Sequence, residues 1–438
     1  MAVQEKSIQD QEKSVPDKIG FWSVVSIVLG SQIGSGIFML PAGLAVFGGI
    51  GLLSWLASGA GAIVLALVFA ELCKQIPKTG GPHAFVQAAF GPKMGFLTAW
   101  SYWVISWVSS SAVVIAAVGY VGSIFGGFPP LVNLTAEIIL LLLLMGLNLL
   151  GVRTSGHAEF IFTLLKVVPL VLLPLACIPF LNIAHFTPLN LSTLSVPHAL
   201  NAAALLTFWG FIGIETATTP AGSVEQPEKT IPRAIVLGTI AVALIYFLSS
   251  AAIMGVVPPA ELKGTQAPFA DATRYIFGGS YHVVIAIVAA IVCIGTLNAW
   301  ILASGQIALG AAEDRLFPEL FRRQNRHGAP VWGVTLSSLG VIPLLWLTLH
   351  QNLVEQLTKI IDGSVTTFLF IYGLCVISYL RLSYQHSAPL RKKICGWLAL
   401  GFCAWALGGS SLAMVGLACG VFLSAVPVYL WLQRSSQC

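Results

Sequence analysis

The side chains best placed to do chemistry in this chain lie inside apolar stretches. Gly30-Ser31-Gln32-Ile33-Gly34-Ser35-Gly36-Ile37-Phe38 interrupts one stretch, and Phe208-Trp209-Gly210-Phe211-Ile212-Gly213-Ile214-Glu215-Thr216 interrupts another. Glycine permits non-helical dihedrals and close approach of a ligand. A helix that restarts after a break offers free N–H groups and the positive end of its dipole, so it can hold a carboxylate without an arginine. At the first break Ser31, Gln32, Ser35 and Gly36 are the candidate binding residues. At the second, unwound carbonyls would face an amine, with Ile212 beside them, and Trp209 would stack on a substrate or close over it. A plainer reading of Gly30, Gly34 and Gly36 is a small-residue face for helix packing.

Two ionisable groups stand in similar apolar surroundings. Glu215 follows the second break on what reads as its outgoing half-helix. An ionisable side chain at membrane depth is costly and is a functional candidate by default. A proton-coupling or gating role competes here with a carboxylate that only pins neighbouring helices. Lys166 lies midway in Phe160–Pro169, too far from either end to snorkel well. Its ammonium could bridge the first break in place of a sodium ion, which implies a sodium-independent cycle. Other stretches add Tyr102, Ser106 and Ser110, then Trp300, then Ser364 and Tyr372. These hydroxyls and aromatics would line a small cavity with few polar groups, or make helix contacts instead. Cysteines and histidines are scattered without ligand spacing, so neither a metal nor a cofactor is expected.

The elements that position these residues follow from composition. The chain is 57% hydrophobic and 9% charged, against about 25% charged in a soluble protein, which excludes a soluble multidomain enzyme. Apolar runs of spanning length place twelve transmembrane helices near 20–45, 49–72, 94–121, 131–150, 158–180, 199–223, 233–256, 281–309, 330–349, 358–381, 394–411 and 413–433. Residues 1–19 read as a disordered cytoplasmic tail without the features of a signal peptide.

Charge fixes the expected orientation. With both termini cytoplasmic, eighteen of the twenty-two Lys and Arg residues fall on the cytoplasmic side, and only Lys263, Arg274 and Lys359 fall outside. The positive charges flank spans and form no patch, so topology explains them without a nucleic-acid partner. The breaks fall in spans one and six, so an odd repeat of five spans would insert its second copy inverted. The expected organisation is a first repeat over 20–181, a second over 199–381, and two further spans over 394–433.

Several runs together resemble the amino acid–polyamine–organocation superfamily. They are Gly34–Ala42, Pro77-Lys78-Thr79-Gly80-Gly81-Pro82, Phe208–Glu215, Pro227–Arg233 and Ala311–Pro318. The likeness covers nearly all of residues 20–433 and is strongest to bacterial basic amino acid antiporters of the arginine/agmatine type. It implies an all-α integral membrane protein of the LeuT-like 5+5 inverted-repeat fold, with helices 1 and 6 broken and alternating access. It further implies that Ser35 and Gly36 form the carboxylate-binding turn and that Trp209 and Trp300 are gate aromatics. Glu215, Tyr102 and Tyr372 would form the inner gate, and Ser364 would contact substrate. Ser110 stands where that type has an asparagine, and Lys166 where it has a small apolar residue. Lys166 resembles instead the proton-coupled members of the superfamily.

The expected function is secondary transport of L-amino acids across a bacterial inner membrane, as a basic amino acid or amine antiporter. Proton-coupled uptake of neutral amino acids is the alternative, and a non-transporting membrane sensor is the alternative of another class. The partners implied are amino acid or amine substrates, protons and the lipid bilayer; the resemblance also allows a homodimer.

Overall fold

The computed structural model describes residues 18–435 except 264, 266, 267, 279–281 and 350–352. The expected tail lies outside the described residues, save Lys18 and Ile19. The described chain is helical throughout, with only the isolated bridges Ile19–Val224 and Gln324–Pro330 as extended pairing.

Helices α1 (Phe21–Gln32) and α2 (Ser35–Ala45) form one interrupted span. The interruption is short: Ile33 is extended, and Gly34 has φ −138° and ψ −150°. Then come α3 (Gly49–Gln75), α4 (Pro82–Phe90), α5 (Pro92–Ile124), α6 (Pro130–Leu149), α7 (Val152–Cys177) and α8 (Val196–Phe208). The second half holds α9 (Pro227–Val256), α10 (Pro259–Leu262), α11 (Pro268–Phe277), α12 (His282–Glu313), α13 (Val331–Thr348), α14 (Leu353–Gln385), α15 (Leu390–Leu407) and α16 (Leu412–Ser435). Proline opens α4, α5, α6 and α9, where its missing N–H sacrifices no intrahelical bond.

Among the described residues, ten helices are long and apolar enough to cross a membrane. The two expected spans outside this count are α13, whose apolar run Val331–Leu347 is short, and α15, which begins with Arg391, Lys392 and Lys393. Burial sorts the ten into centre and rim. The interrupted spans at Phe21–Ala45 and Val196–Thr218 are each 78% buried, against 22% for α6 and 11% for α16. Unbroken helices therefore shield both breaks, as irregular backbone at membrane depth requires. Outward-facing Leu143, Leu172 and Leu423 leave an apolar surface for lipid.

Two elements differ from expectation. The backbone after the second break does not resume as an α-helix. It runs through 3₁₀ turns at Thr216–Thr218 and Ala221–Ser223, so Glu215 stands on irregular backbone and not on a half-helix. Three threonines and a proline within 216–220 account for this, since threonine hydroxyls compete for local carbonyls. Thr216, Thr218 and Thr219 each donate to a carbonyl three residues back, at 2.6–2.7 Å. Helix α9 begins at Pro227, six residues before the expected start at 233, because Pro227 and Glu228 supply favourable first-turn chemistry.

Candidate substrate site

The end of α1 leaves carbonyls without partners in their own helix, and side chains from other helices meet four of them. The Gly30 carbonyl accepts from Lys166 Nζ of α7 at 2.7 Å. The Ser31 carbonyl accepts from Trp300 Nε1 of α12 at 3.3 Å, and the Gln32 carbonyl from Tyr246 OH of α9 at 2.6 Å. Thr296 Oγ1 of α12 lies 2.5 Å from the Ile33 carbonyl and 3.2 Å from Lys166 Nζ. An unpaired buried carbonyl costs about 1–3 kcal/mol, so these donors stabilise the break as well as shape it.

The start of α2 is the opposite case. No side chain caps it, and its first N–H groups have no intrahelical partner. Beside them Ser35 Oγ and both polar atoms of the Gln32 amide are buried without partners. They line a cavity with Ser31, Gly34, Gly36, Ser109, Val113, Trp209, Ile212, Thr296 and Trp300. Its volume is about 20 Å³, enough for roughly one water molecule. The Trp209 ring closes it: a Cβ on Gly36 would stand 2.8 Å from Trp209 Cδ1. Entry of an amino acid therefore requires that ring to move.

At the second break Trp209–Phe211 forms a 3₁₀ turn, Ile212 is extended and Gly213 has φ +109°. A Cβ on Gly213 would also lie 2.8 Å from Ser31 Oγ, so glycine is required there by conformation and by space. Ser31 Oγ and Thr216 Oγ1 are 2.7 Å apart, tying the two breaks together. Glu215 is fully buried. Its Oε1 accepts from Tyr102 OH of α5 at 2.8 Å and its Oε2 from Tyr372 OH of α14. Both oxygens accept, as an ionised carboxylate does; protonation would turn one into a donor and force a tyrosine to re-aim. Phe368 links this cluster to the cavity, with its ring centroid 5.5 Å from Trp300 and 6.0 Å from Tyr372.

The structure thus brings Ser31, Gln32, Ser35, Gly36, Trp209, Ile212 and Trp300 to one cavity, and Tyr102, Glu215 and Tyr372 to one cluster joined to it through Phe368. Lys166 backs the first break and does not line the cavity. Ser106, Ser110 and Ser364 do not line it either. Ser106 Oγ is 2.7 Å from Ser304 Oγ, an α5–α12 contact, and Ser110 Oγ donates to the Ser106 carbonyl at 2.9 Å. Ser364 Oγ is buried without a partner.

The family model for amino acid permeases matches residues 19–433. The chain belongs to the amino acid permease family. It is 29% identical over 402 residues to the cadaverine/lysine antiporter of Escherichia coli strain K12, covering 90% of each chain. It is 30% identical to the putrescine transporter of Haemophilus influenzae, covering 86% of this chain and 87% of that one. To a putative arginine/ornithine antiporter of Bacillus subtilis it is 28% identical, covering 96% and 98%. The chain is a multi-pass membrane protein and a secondary active transporter, not an enzyme.

For this permease two residues of the site lay outside the sequence reading. Thr296 carries no sequence signal, being a lone threonine in an apolar run. Glu159, whose Oε1 accepts from Lys166 Nζ at 3.2 Å, sits at the expected edge of its span, where a carboxylate is ordinary. At the far end of α12, Asp314 Oδ2 stands 3.6 Å from His83 Nε2 of α4, and Oδ1 3.4 Å from Lys78 Nζ. The His83 contact is long for a hydrogen bond, yet with Lys78 it holds the Asp314 carboxyl below the usual carboxylate range.

Proposed function

We infer that this permease exchanges amino acids and amines across a bacterial cytoplasmic membrane, with substrate held between the two breaks. The observation that carries this reading is the uncapped start of α2 beside the unpartnered Gln32 and Ser35 side chains. Those donors suit a substrate carboxylate, and the Trp209 and Trp300 rings suit a cationic group. Antiport of basic amino acids and diamines is supported by the names of the relatives, which exchange or carry cadaverine, lysine, putrescine, arginine or ornithine. The Glu215–Tyr102–Tyr372 cluster acts as the inner gate, closed in this conformation, and Trp209 as the lid over the substrate.

The twelve-span, 5+5 inverted-repeat reading, with units 20–181, 199–381 and 394–433, is supported by two features. The breaks lie five spans apart, and α3 packs along α9 as α5 packs along α12, each pair joining equivalent positions of the two halves. Basic residues support cytoplasmic termini.

One observation favours a second reading, uptake of neutral amino acids coupled to protons. No acidic side chain lines the cavity among the described residues. Counterflow in proteoliposomes separates the two. Wild-type protein loaded with lysine should take up labelled lysine, and external cadaverine, putrescine or ornithine should compete. Competition by leucine or alanine alone, with net uptake driven by a proton gradient into empty vesicles, would replace antiport with symport.

A further inference from the structure

Glu159 is a buried carboxylate that neither the cavity nor the tyrosine gate uses. It lies on α7, two turns before Lys166, and is fully buried. Its Oε1 accepts from Lys166 Nζ at 3.2 Å, and its Oε2 from Asn298 Nδ2 of α12 at 2.9 Å. Asn298 Oδ1 in turn accepts from Asn148 Nδ2 of α6 at 3.0 Å. Three helices thus fix the carboxylate on one side. On the other it fills the space of a missing side chain: a Cβ on Gly30 would lie 1.9 Å from Glu159 Oε1 and 2.7 Å from its Cδ. Gly30 is inside α1 without a positive φ. Glycine is needed there to admit the carboxylate, not to bend the chain.

The juxtaposition has an electrostatic consequence. A buried ammonium bonded only to a carbonyl and a hydroxyl would lack compensation and would shed its proton or leave. A fixed carboxylate in contact keeps the charge in place, and the charged form donates the stronger bond to the Gly30 carbonyl. We propose that Glu159 is a positioning residue for transport: it holds Lys166 on the end of α1 and so fixes the turn where substrate binds. Glu159 touches no substrate and acts through Lys166. The proposal rests on the transport reading of the α1–α2 break.

The test uses the full chain in proteoliposomes, with counterflow of labelled lysine and folded protein counted by monodisperse elution. Glu159→Gln keeps the shape and the Asn298 contact but removes the charge. Its turnover per folded transporter should fall about tenfold or more while KM stays within about threefold; loss of folded protein alone would leave turnover unchanged after this normalisation. Gly30→Ala should impair the wild type similarly but add little to Glu159→Ser, where the colliding carboxylate is gone. This second comparison still reads the contact if Glu159→Gln inserts poorly. Wild-type turnover in Glu159→Gln, or an equal penalty for Gly30→Ala in both backgrounds, would overturn the proposal while leaving the transport reading intact. A wild type that exchanges no amino acid or amine would overturn both.

Discussion

Two carboxylates lie fully buried near the two breaks, and their partners differ in kind. Glu159 faces a cation, Lys166, and an amide fixed by a third helix. Glu215 is held by two neutral hydroxyls, from Tyr102 and Tyr372. A pair of opposite charges locked in low dielectric resists any change in either charge, since losing one strands the other. A carboxylate held by neutral donors can gain a proton at the cost of re-aimed hydrogen bonds. The first arrangement suits a fixed anchor, and the second suits a gate that changes state.

Breaking the anchor should have the largest effect. Lys166→Ala strands Glu159 and frees the Gly30 carbonyl, a loss of about 3–5 kcal/mol where a buried pair is cut. Exchange should fall about a hundredfold or more, measured by counterflow on protein that still inserts. Retained activity would mean the pair is ornamental to transport. Wild-type exchange should proceed undiminished in sodium-free buffer, because the ammonium occupies the break permanently.

A smaller effect is expected where neither carboxylate is touched. Trp209→Leu removes the ring over Gly36 but leaves both clusters intact. Stacking is worth about 0.5–1.5 kcal/mol, so substrate affinity by calorimetry should weaken about three- to tenfold. The pH dependence of exchange should keep its wild-type shape. A changed pH profile would show that the lid and Glu215 are not separable.

Asp314 supplies the least buried contrast, a carboxylate outside the spans against His83 and the exposed Lys78. Its depressed pKa means the contact stabilises the fold above the unfolded-state value near about 4 and is lost as pH falls through the lower folded value. Asp314→Asn should therefore lower thermal stability by roughly 0.5 kcal/mol at neutral pH, with the difference from wild type shrinking only in strong acid. An equal difference at all pH values would assign the effect to packing.

The sequence made some of this architecture legible and hid the rest for physical reasons. Glycine clusters and an ionisable residue in apolar runs mark the breaks, Glu215 and Lys166, because lipid tolerates such features only with a reason. Hydroxyls gave weaker guidance. Ser110 back-bonds to the carbonyl four residues earlier, a use of serine that looks no different in sequence from a substrate contact. Glu159 was hidden by a boundary. The expected span began at 158, close to the apolar span His157–Phe180, so Glu159 stands at its edge, where a carboxylate is ordinary; α7 begins two turns earlier, at Val152, and packing buries the carboxylate fully. The backbone after Gly213 was misread because a run of small polar residues at membrane depth reads as helix unless its local hydrogen bonds are known.

The contrast between anchor and gate is tested most directly by the pH–rate profile of lysine counterflow in Glu215→Gln, with wild type and Glu159→Gln measured alongside from pH 5 to 8. Glu215→Gln keeps the side-chain shape but cannot titrate. Its profile should be flat where the wild type varies, and Glu159→Gln should be slower throughout with the wild-type shape. A wild-type slope in Glu215→Gln, or a flattened profile in Glu159→Gln, would contradict the assignment of gate and anchor.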